Sequence, residues 1–273
     1  MIKLNPLIKD QFKLTLQNYH TSLLNPPLSN ELDFIDRTIR NFNRLNFTVG
    51  NQSLRSRSKK IHLTPMVRFF MPSNKSTLVE MGDLLFVCKY FLNGSLCAHR
   101  ATIIQAKFTK AKKKSWKIDT SQFYFLTQWP CFSMVRPRSN KSYYIDPKAK
   151  TWSTYGFVGS NAIRCPLYYS AERILYHKGG IPPTKSFSFT IPSYAGWDSG
   201  TSFFIKFVQG LIGENLLVNT AVKALVDDLY IMADWKPDPP GDLEWDNKES
   251  ENEIFGIVEF TVTVKEREKR KIE

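Results

Sequence analysis

The amino-acid sequence predicts an α/β fold, and three observations carry that expectation. Apolar residues fall at helical spacing in ELDFIDRTIRNFNRLNF, at Leu32, Ile35, Ile39, Phe42 and Leu45. Two runs of β-forming residues, LLFVCKYF and ATIIQAKFT, flank Asn93-Gly94-Ser95, and Asn-Gly accepts the positive φ angles that a tight hairpin turn requires. A second helical pattern follows in DTSQFYFLTQW, residues 119–129. With 42% hydrophobic and 14% aromatic residues, most of the 273-residue chain has enough apolar surface to order a core.

Taken in order, NPPLSN at 25–30 is a breaker followed by capping residues, and Glu31, Asp33 and Asp36 suit the start of a helix expected over about 30–46. TVGNQSLRSRSKK reads as a polar, basic loop. IHLTPMVRFFM reads as a strand despite Pro65, and a loop at PSNKST leads to the apolar run from Leu78 to Phe91. The hairpin turn at 93–95 returns the chain along a strand from about Arg100 to Thr109. After the cationic loop KAKKKSWK, Asp119 to Ser121 cap a helix carrying Phe123, Leu126 and Trp129 that stops near Pro130.

Beyond residue 136 the signals are shorter. WSTYGFVG, SFSFTI and SFFIKFVQGLI read as strands, NTAVKALVDDLYIMADW as a helix with Val222, Leu225, Leu229 and Met232 on one face, and IFGIVEFTVTVKERE as a final alternating strand. The acidic KPDPPGDLEWDNKESENE separates the last two. The expected organisation is an N-terminal segment (1–29), a core (30–135) and a C-terminal α+β extension (136–273) for specificity, oligomerisation or partner docking.

Charge is divided along the chain. Residues 1–226 hold 31 Lys and Arg against 11 Asp and Glu, a balance of +20, whereas residues 227–273 hold 7 against 14, a balance of −7. A body this basic suits a polyanion, nucleic acid before anionic membrane. No apolar run is long enough to span a bilayer, and MIKLNPLIKDQFKL lacks a signal-peptide apolar region, so a cytoplasmic protein without membrane contact is expected. Cys88, Cys97, Cys131 and Cys165 have no CxxC spacing and read as reduced, mostly buried thiols.

Few residues have the pattern of chemistry. GGIPPTKS at 179–186 fails as a phosphate-binding loop, because Thr184 replaces its last glycine and Pro182 and Pro183 disturb the amides. His20, His62, His99 and His177 have no metal-ligand spacing. Gln105 and Lys107, by contrast, stand two apart on an otherwise apolar strand and share one of its faces, while Ile104, Ala106 and Phe108 share the other. Asp83 opens the partner strand. An acid and a side-chain carbonyl on neighbouring strands suit a divalent metal, and a nearby lysine suits the charge of phosphodiester attack.

In the order acid-bearing helix, acid, hairpin and then Gln-x-Lys, the stretch 30–135 resembles the PD-(D/E)XK superfamily of restriction-endonuclease-like nucleases. GD with IIQAK is similar to its Mrr-like branch, in which glutamine takes the place of the second acid. The resemblance implies a restriction-endonuclease-like core that uses Mg²⁺ or Mn²⁺ to hydrolyse nucleic acid, double-stranded DNA first. Asp83 would be the metal-ligating acid, Gln105 the second-strand position and Lys107 the catalytic lysine, with Gly82 where the family has proline. It implies a helix acid, Glu31 before Asp33 or Asp36, and Glu80 is a further metal candidate. RSRSKK supplies Arg55, Arg57, Lys59 and Lys60, and the loop after the Gln-x-Lys strand supplies Lys110, Lys112, Lys113 and Lys114, as expected nucleic-acid contacts. A prokaryotic antiviral defence role, with a homodimer or an activating partner, is the setting that the resemblance implies. The alternatives are a catalytically silent nucleic-acid-binding or assembly subunit, and a module whose acidic 238–253 segment docks a basic protein.

Overall fold

Pro6 begins a helix where the sequence alone assigned no element. A computed structural model of the chain describes residues 3–61, 64–110, 115–136, 141–146, 152–159, 165–191, 198–235 and 255–265. Helix α1 (Pro6–Leu24) has Pro6 in its first turn, where the missing amide hydrogen costs nothing, and Asn5 caps it by accepting the Leu7 N–H at 3.0 Å. Helix α2 (Glu31–Asn41) ends earlier than its apolar spacing suggests. Arg44 turns the chain with φ of 59°, and strand β1 (Asn46–Val49) follows.

The expected basic loop at 48–60 is corrected to a strand, β2 (Gln52–Ile61). Small serines at its inward positions hid the alternation. Ser56 and Ser58 are buried, and their hydroxyls donate to the carbonyls of Phe42 and Ile39, each at 2.6 Å, so that β2 satisfies groups at the end of α2. The strand expected over IHLTPMVRFFM is shorter, β3 (Met66–Phe70), and begins only past Pro65, while the run from 78 splits into β4 (Ser76–Glu80) and β5 (Leu84–Leu92). The hairpin turn at Asn93 (φ 50°) and Gly94 (φ 83°) is as expected, and β6 (Ser95–Thr109) is longer than predicted.

Then come β7 (Ser115–Asp119), α3 (Thr120–Gln128), β8 (Phe132–Arg136), β9 (Ser142–Tyr143), β10 (Ser153–Gly159), β11 (Leu167–Ser170) and α4 (Ala171–Lys178). The chain continues with β12 (Ser186–Thr190), β13 (Asp198–Ser199), α5 (Gly200–Val208), β14 (Glu214–Asn215), α6 (Thr220–Met232) and β15 (Phe255–Val264). Helix α3 is capped by Asp119, whose carboxylate accepts the Gln122 N–H at 2.9 Å. The strand expected at SFFIKFVQGLI is instead helix α5, which is capped by Ser199 and buries Phe203, Phe204, Phe207 and Val208.

Nine strands form one mixed sheet in the order β1-β2-β15-β5-β6-β10-β11-β13, with β14 also on β6. Strand β15 runs parallel to β5 and antiparallel to β2, and β10 runs parallel to β6. The sheet therefore does not break at residue 135, because β10, β11, β13, β14 and β15 all join it. Helices α1, α2 and α5 cover one face around Phe42, Phe86, Phe204 and Phe260. The other face carries α3, α4, α6 and two smaller sheets, β7 with β12 and β4-β3-β8-β9, around Phe123, Trp129, Trp152 and Tyr155. Of the four cysteine thiols only Cys88 is buried, which corrects the expectation that most are; Cys97 and Cys131 are exposed.

One buried carboxylate ties three strands to α6. Glu259 on β15 accepts from Arg57 on β2 (2.7 and 2.9 Å), from Lys89 on β5 (2.6 Å) and from the Tyr230 hydroxyl (2.7 Å), and the Arg57 guanidinium lies 4.5 Å from the Trp235 ring centre. Burial pushes its pKa up, but Lys89 and then Arg57 outweigh burial and hold it below the ordinary carboxylate value. Replacing Glu259 by Ala strands two cations, and urea unfolding at pH 7 is expected to read a loss of about 3–5 kcal/mol. Because the native pKa is depressed, this stabilisation is present above the unfolded carboxylate range and is lost as pH falls through the native value. The difference between wild type and variant should therefore shrink below about pH 4.

Candidate metal centre at the end of the hairpin

Asp83 stands where the chain leaves the small sheet and enters the large one. Its N–H donates to the Ile104 carbonyl and its C=O accepts the Gly256 N–H, both at 2.9 Å, so β6 and β15 fix its backbone from either side. Gly82 before it has no room for a side chain, since a Cβ would lie 2.7 Å from Ile103 Cγ1. The carboxylate is buried. Its Oδ2 accepts the Ala106 N–H at 2.6 Å and the Gln105 amide Nε2 at 2.5 Å.

Gln105 is held from its other end as well. Its Oε1 accepts Gln122 Nε2 at 2.5 Å, and the same Gln122 nitrogen lies 3.3 Å from the Glu80 carbonyl. Gln122, which the sequence reading passed over, is a buried polar side chain in the first turn of α3. The available signal was a glutamine at an inward position just ahead of Phe123, Phe125 and Leu126. As arranged, Gln105 presents its amide nitrogen to Asp83 and its oxygen to α3.

Of the three helix acids only Glu31 reaches this place. Its Oε1 accepts the Phe108 N–H at 3.1 Å and lies 4.0 Å from Lys107 Nζ. Asp33 is occupied by Arg37 at 2.6 Å and by Ser29, and Asp36 by Arg40 at 2.6 Å and Lys60 at 3.1 Å. Lys107 is largely buried, with 15% of its side chain exposed. Asn30, Glu31, Thr64, Glu80, Asp83 and Phe108 line a cleft of about 440 Å³.

The expected nucleic-acid contacts divide. Arg55 and Lys110 are exposed. Arg57 is engaged with Glu259, Lys59 donates to the Asp234 carbonyl at 3.2 Å, and Lys60 pairs with Asp36. Lys112, Lys113 and Lys114 lie outside the described residues.

The electrostatics of Asp83 are unusual for a carboxylate with two hydrogen-bond donors. Burial raises its pKa to about 8; Lys107 opposes the rise, whereas Glu31 and Glu80 add to it. Its titration is thereby moved far above the ordinary carboxylate range. The donors at hand suit a hard, oxygen-seeking cation: Asp83 with Glu80 and Glu31 at the cleft wall. Magnesium commonly takes only one or two carboxylates and completes its shell with water and phosphate. Among the described residues no three His, Cys, Asp or Glu side chains converge to hold a metal without such help. Gln105 would have to turn its amide to serve as a ligand.

No known protein family, curated protein or solved structure matches this chain.

The native pKa of Asp83 lies above its unfolded value, so its contribution to stability is complete below about pH 4 and is lost as pH rises to about 8. Thermal midpoints of wild type and Asp83→Asn, measured from pH 5 to pH 9, should diverge over that interval, with the variant gaining relative to wild type as pH rises. Parallel curves would mean that Asp83 is ionised throughout.

Proposed function

We propose that this chain is a metal-dependent endonuclease with a restriction-endonuclease-like core, hydrolysing the phosphodiester bonds of nucleic acid, DNA in the first instance. One observation carries the reading: Asp83 in the turn before β5, Glu80 at the end of β4 and Glu31 at the start of α2 line a single cleft, and Lys107 of β6 lies 4.0 Å from Glu31 beside it. The chain order agrees with it, because the acid-bearing helix α2 precedes the hairpin β5–β6, and α3 separates β6 from a parallel neighbour, β10.

In this reading Asp83, with Glu80 or Glu31, would hold Mg²⁺ or Mn²⁺. A divalent cation there supplies neutralisation of the phosphate and acidification of water. Lys107 sits beside Glu31, close enough to hold the attacking water or to meet charge developing on the phosphate. Glu31 orients that lysine while its own oxygen is anchored by the Phe108 amide. Gln122 and Gln105 keep the Asp83 carboxyl in place, and Asp83 must give up its proton before it can serve as a charged ligand. The basic balance of residues 1–226 supplies attraction for a polyanion. A defence role with an activating partner rests on the sequence resemblance, and no helix of the described residues is long and apolar enough to cross a membrane.

A second reading, a silent nucleic-acid-binding subunit, draws on the same hydrogen bonds. Gln105 is fastened at both ends, and burial raises the pKa of the acid beside it, which disfavours the charged form a metal needs. The two readings part in a cleavage assay on supercoiled plasmid, linear duplex, single-stranded DNA and RNA with Mg²⁺, Mn²⁺ or EDTA. The nuclease reading predicts cutting that needs metal and falls at least 100-fold in Asp83→Ala and in Lys107→Ala. Activity that survives either substitution contradicts the site. Wild type that binds DNA but cuts nothing, with or without candidate partners, supports the silent subunit.

A further inference from the structure

We infer that the outer face of the four-stranded sheet β4-β3-β8-β9 is a platform for an unpaired nucleic-acid strand leading into the cleft. The identity of the cleft rests on the nuclease reading above; the platform stands on its own residues. Strand alternation sends Val67, Phe69, Val79, Phe132, Met134 and Tyr143 inward, where they are buried. Among the described residues, the opposite face is open to solvent. Phe70 is 64% exposed, Leu78 is 48% exposed, and Arg68, which lies opposite Leu78 on one side and Ser133 on the other, is exposed between them. Tyr144, one residue past β9 and of the same parity as outward Ser142, is 70% exposed.

The chemistry of this face selects its occupant. Rings interleaved with guanidinium groups are what exposed bases stack upon, while the phosphates between the bases meet the cations. The strand residues of the face include the exposed Arg68 and one acid, Glu80, which is not out among the rings but at the last position of β4, in the cleft wall. A duplex keeps its base faces stacked inside and cannot use such rings, whereas an unpaired strand can. From Ser76, opposite Phe70, to Glu80 is four strand residues, about 13 Å. That length accommodates about four stacked nucleotides before the cleft is reached.

The test is fluorescence anisotropy in EDTA at fixed salt, with a labelled single-stranded 12-mer and a duplex of the same sequence, for wild type, Phe70→Ala, Tyr144→Ala and Phe70→Trp. The variants change exposed side chains, and equal thermal midpoints verify their folding. Wild type should prefer the single strand. Each alanine variant should weaken single-strand binding about 5- to 100-fold while changing duplex binding less than about twofold, and Phe70→Trp should restore it. Equal affinity of wild type for both probes, or alanine variants that bind the single strand as wild type does, overturns the platform. So does a shift from dimer to monomer in Phe70→Ala by sedimentation, which would assign the face to a second copy of this chain. A matched cleavage assay keeps the two ideas apart. Cutting that is indifferent to Phe70 leaves the nuclease and removes the platform, whereas ring-dependent binding without metal-dependent cutting does the reverse.

Discussion

Strand β15 is the constraint on which the rest depends. It arrives last in chain order yet lies inside the large sheet, hydrogen-bonded to β2 on one side and β5 on the other, with Phe255 to Phe260 buried. Its one glycine, Gly256, does two things for the site. The Gly256 N–H holds the Asp83 carbonyl, and the missing side chain leaves space for Ile39 of α2 and for Leu84, each of which would lie 2.6 Å from a Cβ there. Close docking of α2 on the sheet is what brings Glu31 down to the end of β6.

The sheet contains two buried carboxylates with opposite fates. Glu259 meets two cations and a hydroxyl and is held ionised, and its role in the fold accounts for every partner it has. Among the described residues Asp83 has two hydrogen-bond donors and Lys107 as its one countercharge, with Glu31 and Glu80 adding repulsion, and burial prevails. As pH rises from about 4 toward 8, an acid held above its ordinary pKa costs the fold stability. A carboxyl shifted in this way at the wall of a cleft is the pattern of a group retained for binding or chemistry.

Much of this was legible in residues of strong local preference. Asn93-Gly94 fixed the hairpin, Asp119 marked the start of α3, and the two-residue period of Gln105 and Lys107 singled out the strand face that meets Asp83. What escaped depended on partners distant in sequence. Ser56 and Ser58 look like loop residues until their hydroxyls are seen to complete α2. The phenylalanines of SFFIKFVQGLI suit a strand equally well until packing against Tyr19, Phe42 and Phe86 selects the helix. The alternation read into β15 is overridden by its central position, where both faces are covered, and two of the RSRSKK cations, Arg57 and Lys60, pair inside the fold because Glu259 and Asp36 come to meet them. Gln122 carried only its inward place ahead of Phe123 as a local mark, since its meaning lies in Gln105, 17 residues earlier.

The central proposal is that Asp83, a buried and under-compensated acid whose pKa is pushed up to about 8, receives a divalent cation. The direct measurement is calorimetric titration of Mn²⁺ into the intact chain at pH 7, repeated in buffers of different ionisation enthalpy, beside Asp83→Asn. The account predicts a site that releases close to one proton per Mn²⁺ bound in wild type and is lost in the variant. Binding of equal strength in both proteins without proton release, or no binding to wild type, would contradict it.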